Sequence, residues 1–437
     1  MDSGIPTPED VENLTIDNLG KAEYPSTFNQ RKSLYVEDDT KVMVYASTKQ
    51  LAPYFRRNVP PPMFEMAGPR PMMFFEPSEL TCGIVTCGGL CPGLNDVIRT
   101  VYLTLHWQYG VPKVYGFRYG YEGLTPNARE NPLLLSPELV DEIQHKGGTI
   151  LGSSRGPQDP VVMVDTLLKY RVQILFAIGG DGTFAGAHAI AQEIKKRGLK
   201  ISIIGIPKTI DNDIFCSEKT FGFSTAVQAS LSAIQAAHEE AKAAWNGIGL
   251  VKLMGRDSGF IAANATLANS DVNFCLIPEA SFTLEGHQGF LPMLEARLRK
   301  RRHAVVVVAE GAGQNLFEDD ADGIERDASG NVIHRDIGLF LKDKILEYFK
   351  KKGMQVTLKY IDPSYTIRSC PANASDSAFC LLLGQNAVHA GMAGKTDMFV
   401  GYWNHHFVHV PLTVAVGKRK QVDLNGELWQ TVIAMTG

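Results

Sequence analysis

Between Ile206 and Ile214 the chain reads Pro207-Lys208-Thr209-Ile210-Asp211-Asn212-Asp213. Two carboxylates one residue apart are suited to a divalent cation and to accepting a proton from an alcohol. An ammonium and a hydroxyl beside them add charge neutralisation and orientation. A polar turn with local side-chain caps uses the same residue types, so the elements around it matter. The preceding Ile201 to Ile206 is short and rich in β-branched residues, which predicts a buried strand. Pro207 has no N–H and ends its ladder. The C-terminal end of a buried strand is where open α/β sheets place their chemistry.

Other strands end the same way. Thr81 to Thr86 runs into Cys87-Gly88-Gly89-Leu90-Cys91-Pro92-Gly93-Leu94-Asn95, then a helix from Asp96 to about His106. A strand, a glycine turn and a helix offer backbone N–H groups to a phosphate, although an ordinary tight turn has the same composition. Ile174 to Ile178 ends in Gly179-Gly180-Asp181-Gly182-Thr183 before a helix from about Phe184 to Arg197. That turn loosely fits a dinucleotide fingerprint, but the next strand is followed by Pro207-Lys208 and supplies no acid for a ribose. An aspartate inside a glycine turn makes sense with Mg²⁺ between it and phosphates. Ile248 to Leu253 ends in Met254-Gly255-Arg256-Asp257, Val272 to Ile277 in Pro278-Glu279, and Ala304 to Ala309 in Glu310-Gly311. Val356 to Ile361 precedes Asp362-Pro363-Ser364-Tyr365-Thr366-Ile367-Arg368. A helix capped by Ser224 carries Val227, Leu231, Ile234 and His238 on one face.

Parallel strands deliver their C-terminal ends to one edge, so Arg155, Asp181, Lys208, Asp211, Asp213, Arg256, Glu310 and Arg368 converge. Carboxylates for Mg²⁺, cations for phosphates and an aspartate for a hydroxyl are the parts of a phosphoryl transferase.

Several other patterns point elsewhere and fail. Gly152-Ser153-Ser154-Arg155-Gly156 matches a hydrolase elbow, but Pro157 and Pro160 follow where a helix must. Arg155 is the better candidate there, for phosphate oxygens. No Walker sequence occurs. Cys82, Cys87 and Cys91 lack a fourth ligand, and the seven cysteines read as reduced thiols of a cytoplasmic protein. The acidic loop 314–336, with Glu318 to Gly323, misses the EF-hand spacing and reads as solvated. His405, His406 and His409 lie on a strand-like tail with no acid nearby, which argues against a metal. A net charge of −4 leaves no footprint for nucleic acid or an anionic membrane. The opening Met1-Asp2-Ser3-Gly4 has no leader character, and the apolar run Val305 to Ala309 is too short to span a bilayer.

Six ordered motifs from about Leu80 to Tyr402 resemble those of the 6-phosphofructokinases. They are the glycine turn 88–95, Gly179 to Thr183, Pro207 to Asp213, Met254-Gly255-Arg256, Pro278-Glu279, and Pro363 to Arg368. The resemblance implies transfer of a phosphoryl group from MgATP to the C1 hydroxyl of fructose 6-phosphate, in glycolysis. Asp211 would be the base, with Lys208, Thr209 and Arg256 assisting. Asp181 and Asp213 would hold Mg²⁺. Gly88, Gly89, Arg155, Gly180, Asp181, Gly182 and Thr183 would bind ATP. Thr209, Asp211, Met254, Gly255, Arg256, Glu310, Lys359, Tyr365 and Arg368 would bind the sugar phosphate, Lys359 from a neighbouring subunit of a homo-oligomer.

Lys208 and Tyr365 stand where short bacterial enzymes have glycine and histidine, and Asn246 to Gly249 lacks an expected arginine. The first two features look like a longer-chain subfamily that includes pyrophosphate users, so a pyrophosphate-dependent enzyme is the alternative. A NAD or lipid-type kinase shares only the Gly-Gly-Asp-Gly-Thr turn. A non-catalytic regulatory subunit would be expected to lose Asp211 or the metal carboxylates.

The fold expected is α/β, two similar doubly wound domains with mostly parallel sheets plus an N-terminal extension. The extension is 1–79, rich in proline and packed on the body. The donor-binding domain is 80–225, completed by about 367–402, and the acceptor domain is 226–366, completed by about 403–437.

Overall fold

Strands form where aliphatic and β-branched residues run together, and helices where apolar positions recur every three to four residues. The computed structural model describes residues 6–27, 35–317 and 332–436. In chain order the strands of the two main sheets are β1 (Lys41–Met43), β2 (Met63–Met66), β3 (Thr81–Thr86), β4 (Lys113–Phe117), β5 (Leu133–Leu134), β6 (Ile174–Gly179), β7 (Ser202–Pro207), β8 (Gly247–Leu253), β9 (Phe274–Leu276), β10 (His303–Ala309), β11 (Thr357–Ile361), β12 (Met398–Trp403) and β13 (His406–Pro411). The larger sheet has the order β1-β2-β13-β12-β7-β6-β3-β4-β5. Its middle, β12, β7, β6, β3 and β4, is parallel. The smaller sheet, β9-β10-β8-β11, is parallel throughout.

Both sheets are covered on two faces, which is why their central strands are apolar without alternation. Ile174, Phe176 and Ile178 of β6 face the same core as Val305, Val307 and Ala309 of β10. Leu175 and Ala177 face the outer core of the large sheet, while Val306 and Val308 face that of the small one. One continuous apolar layer therefore joins the two sheets.

Three expectations change. The extension is part of the sheet, because β1 and β2 add two antiparallel strands beside β13. The tail does not belong to the acceptor domain as a whole, since β13 pairs with β12 in the large sheet while the helix Glu427–Thr436 packs on the small domain. Ser224 is not a cap. The helix starts at Phe223 behind Gly222 at φ +84°, and the buried Asp376 carboxylate of another helix accepts from the Thr225 N–H (2.7 Å) and hydroxyl (2.6 Å). The cap comes from a distant part of the chain, which no local pattern reveals.

His409 does have an acid partner. Glu65 on β2 accepts from His409 Nδ1 (3.1 Å), Lys395 (2.8 Å) and Arg70 (3.0 Å). Burial pushes the imidazole pKa down, and the Glu65 carboxylate beside it pulls it back up. The same partners, His409 first and Lys395 second, outweigh burial and hold Glu65 far below the usual carboxylate range. This cluster fixes the extension to the tail strand. The stretch Glu318 to Gly323 lies outside the described residues. Among those described, no helix is long and apolar enough to cross a membrane.

Candidate active site

The ladder of β7 is parallel to β6, with Pro207 opposite Gly179, so the turns that follow leave side by side. After Pro207 the chain tightens. Thr209 Oγ1 accepts from the Asp211 N–H (3.1 Å) and donates to Asp213 Oδ1 (2.8 Å). Asn212 takes φ +54°, a left-handed conformation that asparagine tolerates better than most residues. Its side-chain amide donates to the Glu218 carbonyl (3.1 Å), and its amide oxygen accepts from the Thr220 N–H (3.0 Å). The result is a braced turn that holds Asp211 and Asp213 in fixed positions.

Asp211 Oδ1 is buried with no hydrogen-bond partner. Such groups are rare and ask for a reason. Burial, then the charges of Asp213 and Glu310, push the Asp211 pKa up to about 8, while the Arg256 N–H pulls it back. A carboxyl held up by burial and like charges is ionised by an approaching opposite charge, and as the ionised form it can accept a proton.

The donor side is built on Gly88 and Gly89. Gly88 has φ +86°, which a side chain would strain, and its N–H donates to the Ser154 carbonyl (3.0 Å). Ser153 Oγ donates back to the Gly88 carbonyl (2.6 Å). These bonds tie the first glycine turn to the Arg155 turn. A side chain on Gly89 would lie 3.3 Å from an Arg368 nitrogen and 3.6 Å from one of Arg155. Arg155, expected on the donor, and Arg368, expected on the sugar phosphate, thus stand at one glycine. Lys208 is buried and donates to the Gly89 carbonyl (2.7 Å), and burial lowers its pKa. Gly182 is exposed, with nothing within 4 Å of where a side chain would start. Thr183 lies beneath the turn, buried, its carbonyl accepting from the Tyr121 hydroxyl (2.6 Å).

On the acceptor side, Gly255 has φ +131°, and its carbonyl accepts from the Gly311 N–H (3.1 Å), joining the Met254-Gly255-Arg256 turn to the Glu310 turn. Burial raises the Glu310 pKa, while Lys252, Arg256 and Arg368 pull it down. Arg256 donates to the Val332 carbonyl. Tyr365 is exposed, with the Arg368 guanidinium 4.8 Å from its ring centre. Lys359 does not join this group. It sits on the edge strand β11, half exposed, with its ammonium 3.4 Å from Glu240.

Of the two carboxylates expected to hold a metal, Asp213 accepts from Thr209 Oγ1 (2.8 Å). Asp181, at the start of its helix, accepts from the Gly417 N–H (2.9 Å) through Oδ1 alone. Among the described residues no group of three or more His, Cys, Asp or Glu stands ready for a metal.

Sequence reading missed the residues that lace these turns together from the tail. Arg419 pairs with Asp257, and Val422 N–H donates to Glu279 Oε1 (2.8 Å). Lys420 is buried, with its pKa lowered by burial to about 7, and donates to the Ser217 (2.7 Å) and Glu218 (3.1 Å) carbonyls. The run Lys418-Arg419-Lys420 was the only signal, and it is indistinguishable from a solvated basic patch. The cysteines are all free, and burial pushes the Cys87 thiol up to about 12.

Glycine turns set against arginines, with a buried carboxylate between them, define a phosphoryl transferase acting on small phosphorylated molecules. The Phosphofructokinase family model matches residues 81–391, and the chain belongs to that family. It is 54% identical to the ATP-dependent 6-phosphofructokinase of Borreliella burgdorferi over 381 residues, covering 86% of this chain and 85% of that protein. It is 45% identical to the ATP-dependent 6-phosphofructokinase of Trypanosoma brucei brucei over 431 residues, 97% of this chain and 87% of that one. The crystal structure of a pyrophosphate-dependent phosphofructokinase from Marinobacter aquaeolei superposes with a TM-score of 0.66 at 20% identity, covering 80% of this chain and 88% of that one. At that identity the likeness confirms the two-sheet fold.

The elevated pKa of Asp211 has a stability consequence. In the metal-free, ligand-free protein its proton is retained on folding, so its contribution is fully present below the unfolded pKa of about 4 and is lost as pH rises towards about 8. Asp211→Asn, which mimics the protonated acid, should raise the melting temperature, with a gain that grows from pH 5 to pH 8. The gain should reach at least about 2 kcal/mol, since each tenfold change in proton affinity between the unfolded and folded chain is worth about 1.4 kcal/mol. Equal melting curves at pH 8, recorded in chelator, would show that burial does not burden the wild-type carboxylate.

Proposed function

We infer that this chain transfers the terminal phosphoryl group of MgATP to the C1 hydroxyl of fructose 6-phosphate, giving fructose 1,6-bisphosphate and ADP. The observation that carries the mechanism is the buried, unpartnered Asp211 Oδ1 among the glycine and arginine turns. Asp211 takes the hydroxyl proton as the oxygen attacks. Asp181 and Asp213 would hold Mg²⁺, which when bound would screen the phosphate charges. Gly88, Gly89, Gly180, Gly182, Thr183 and Arg155 bind the donor. Met254, Gly255, Arg256, Glu310, Tyr365 and Arg368 bind the sugar phosphate. Thr209 keeps Asp211 and Asp213 aligned, and Lys208 supports the donor loop through Gly89. The reaction belongs in the cytoplasm, in keeping with free, buried thiols.

An alcohol is a weak nucleophile, and a positioned base contributes about 10²–10⁴-fold. Asp211→Ser should lower kcat by that order with little change in KM for fructose 6-phosphate. Near-normal kcat would remove Asp211 from the chemistry.

The donor turns on Gly182. The space around it is open, so a carboxylate there would fit and would occupy the volume assigned to an ATP phosphate. Like charges about 4 Å apart cost about 4 kcal/mol at an effective dielectric near 20. Gly182→Asp should abolish ATP use. Lys208 favours a second reading, pyrophosphate as donor, because a buried cation there neutralises a transferring phosphoryl group. Excluded volume decides more strongly than an added cation, so ATP is preferred. Wild-type turnover faster with pyrophosphate than with ATP, both saturating and with Mg²⁺, would reverse the assignment.

Lys359, outside its own chain's site on an edge strand, would complete the 6-phosphate pocket of a neighbouring copy. A homo-oligomer is proposed on that ground, and full activity in a species that sediments as a monomer would exclude it.

A further inference from the structure

The segment Gly417-Lys418-Arg419-Lys420-Gln421-Val422 belongs to none of the motifs, yet it bonds to turns on both sides of the site. It leaves the short helix Leu412–Ala415, which packs on the donor helix Asp181–Lys196. It ends before the helix Glu427–Thr436, which packs on the acceptor domain. Its backbone bonds come in order along the chain. Gly417 N–H donates to Asp181 Oδ1 (2.9 Å), Lys420 N–H to the Asp213 carbonyl (2.8 Å), and Val422 N–H to Glu279 Oε1 (2.8 Å). Arg419 forms a β-bridge with Ile214, and its guanidinium pairs with Asp257. Five residue steps span at most roughly 18 Å, which bounds how far apart the Asp181 and Glu279 turns can stand.

Lys420 is the basic residue of this strap whose side chain is buried. Its ammonium donates to the Ser217 and Glu218 carbonyls and lies 5.2 Å from the Phe260 ring centre. Glu218 O also accepts from Asn212, the left-handed residue between Asp211 and Asp213. A buried charge is retained only against a cost, and here its hydrogen bonds go to the carbonyls that close the Asp211–Asp213 turn.

We propose that residues 417–422 are a strap that registers the donor turn against the acceptor turns, and that Lys420 is its positioning residue, setting the Asp211–Asp213 turn without touching substrate. The catalytic part of this claim rests on the function inferred above, whereas the packing part does not. The variant Lys420→Met keeps the aliphatic stem and removes the donors. Misplacement of about 1 Å at a reacting centre costs roughly 10²-fold, so kcat should fall by that order while both KM values stay within about threefold. Hydrogen–deuterium exchange should quicken in peptides covering 211–218 and stay unchanged in the outer strands β4 and β9. Unaltered exchange at 211–218, or faster exchange everywhere, would overturn the proposal, as would wild-type kcat. Should Lys420→Met not fold, Lys420→Gln, whose side chain is one atom shorter and draws its donor back from the two carbonyls, carries the same readouts. If the wild type does not phosphorylate fructose 6-phosphate, the functional reading fails, and the exchange pattern alone still decides the strap.

Discussion

The arrangement depends on keeping a carboxylate out of water next to two others. Asp211 shares its surroundings with Asp213 and Glu310, and its Oδ1 has no partner. Burial and the two neighbouring charges favour its protonated form, which cannot act as a base. Neutralising charge must arrive with the ligands, so the group becomes a base when the donor and its metal are in place. Burial thereby couples proton acceptance to occupancy. The same desolvation opposes solvent water competing with the sugar hydroxyl for an activated phosphoryl group.

Much of the surrounding structure serves that constraint. Parallel strands bring the turns to one edge, and each turn is then braced by its neighbours instead of by itself. Gly88 is held by Ser153 and Ser154, Gly255 by Gly311, and Asp213 by Thr209 and the tail. Bracing of this kind is needed because glycine-rich turns have little side-chain packing of their own. Elsewhere, Glu65 ties the N-terminal strands to Lys395 and to His409 of β13, fastening the start of the chain to the large sheet.

The parallel core and the polar turns are legible in the sequence because both leave local marks. The apolar runs locate β3, β6, β7 and β10 to within a residue at their ends, and the helix after β6 begins only three residues early, at Asp181, whose charge favours a helix N-terminus. Chemistry at Asp211 is legible from two acids beside an ammonium. What stays hidden depends on contacts distant in sequence. Nothing near Phe223 announces that Asp376 will cap its helix. Nothing near His409 announces Glu65, β1 has only three residues, and β2 directly follows Pro60-Pro61-Pro62, so neither reads as a strand. Sequence order also offers no reason for the tail to bond to both domains, as it does. Lys359 is suggested by resemblance alone, and its position on an edge strand gives that suggestion meaning only in an assembly.

The central claim is that Asp211 holds a proton in the empty site and gives it up when the site fills. Calorimetry of the binding of Mg²⁺ and a non-hydrolysable ATP analogue in the presence of fructose 6-phosphate, repeated at pH 7 in buffers of different ionisation enthalpy, counts that proton. The account predicts release of close to one proton by the wild type and none by Asp211→Asn. Wild-type binding without proton release would mean that Asp211 is already ionised in the empty site, and the coupling of burial to catalysis would be lost.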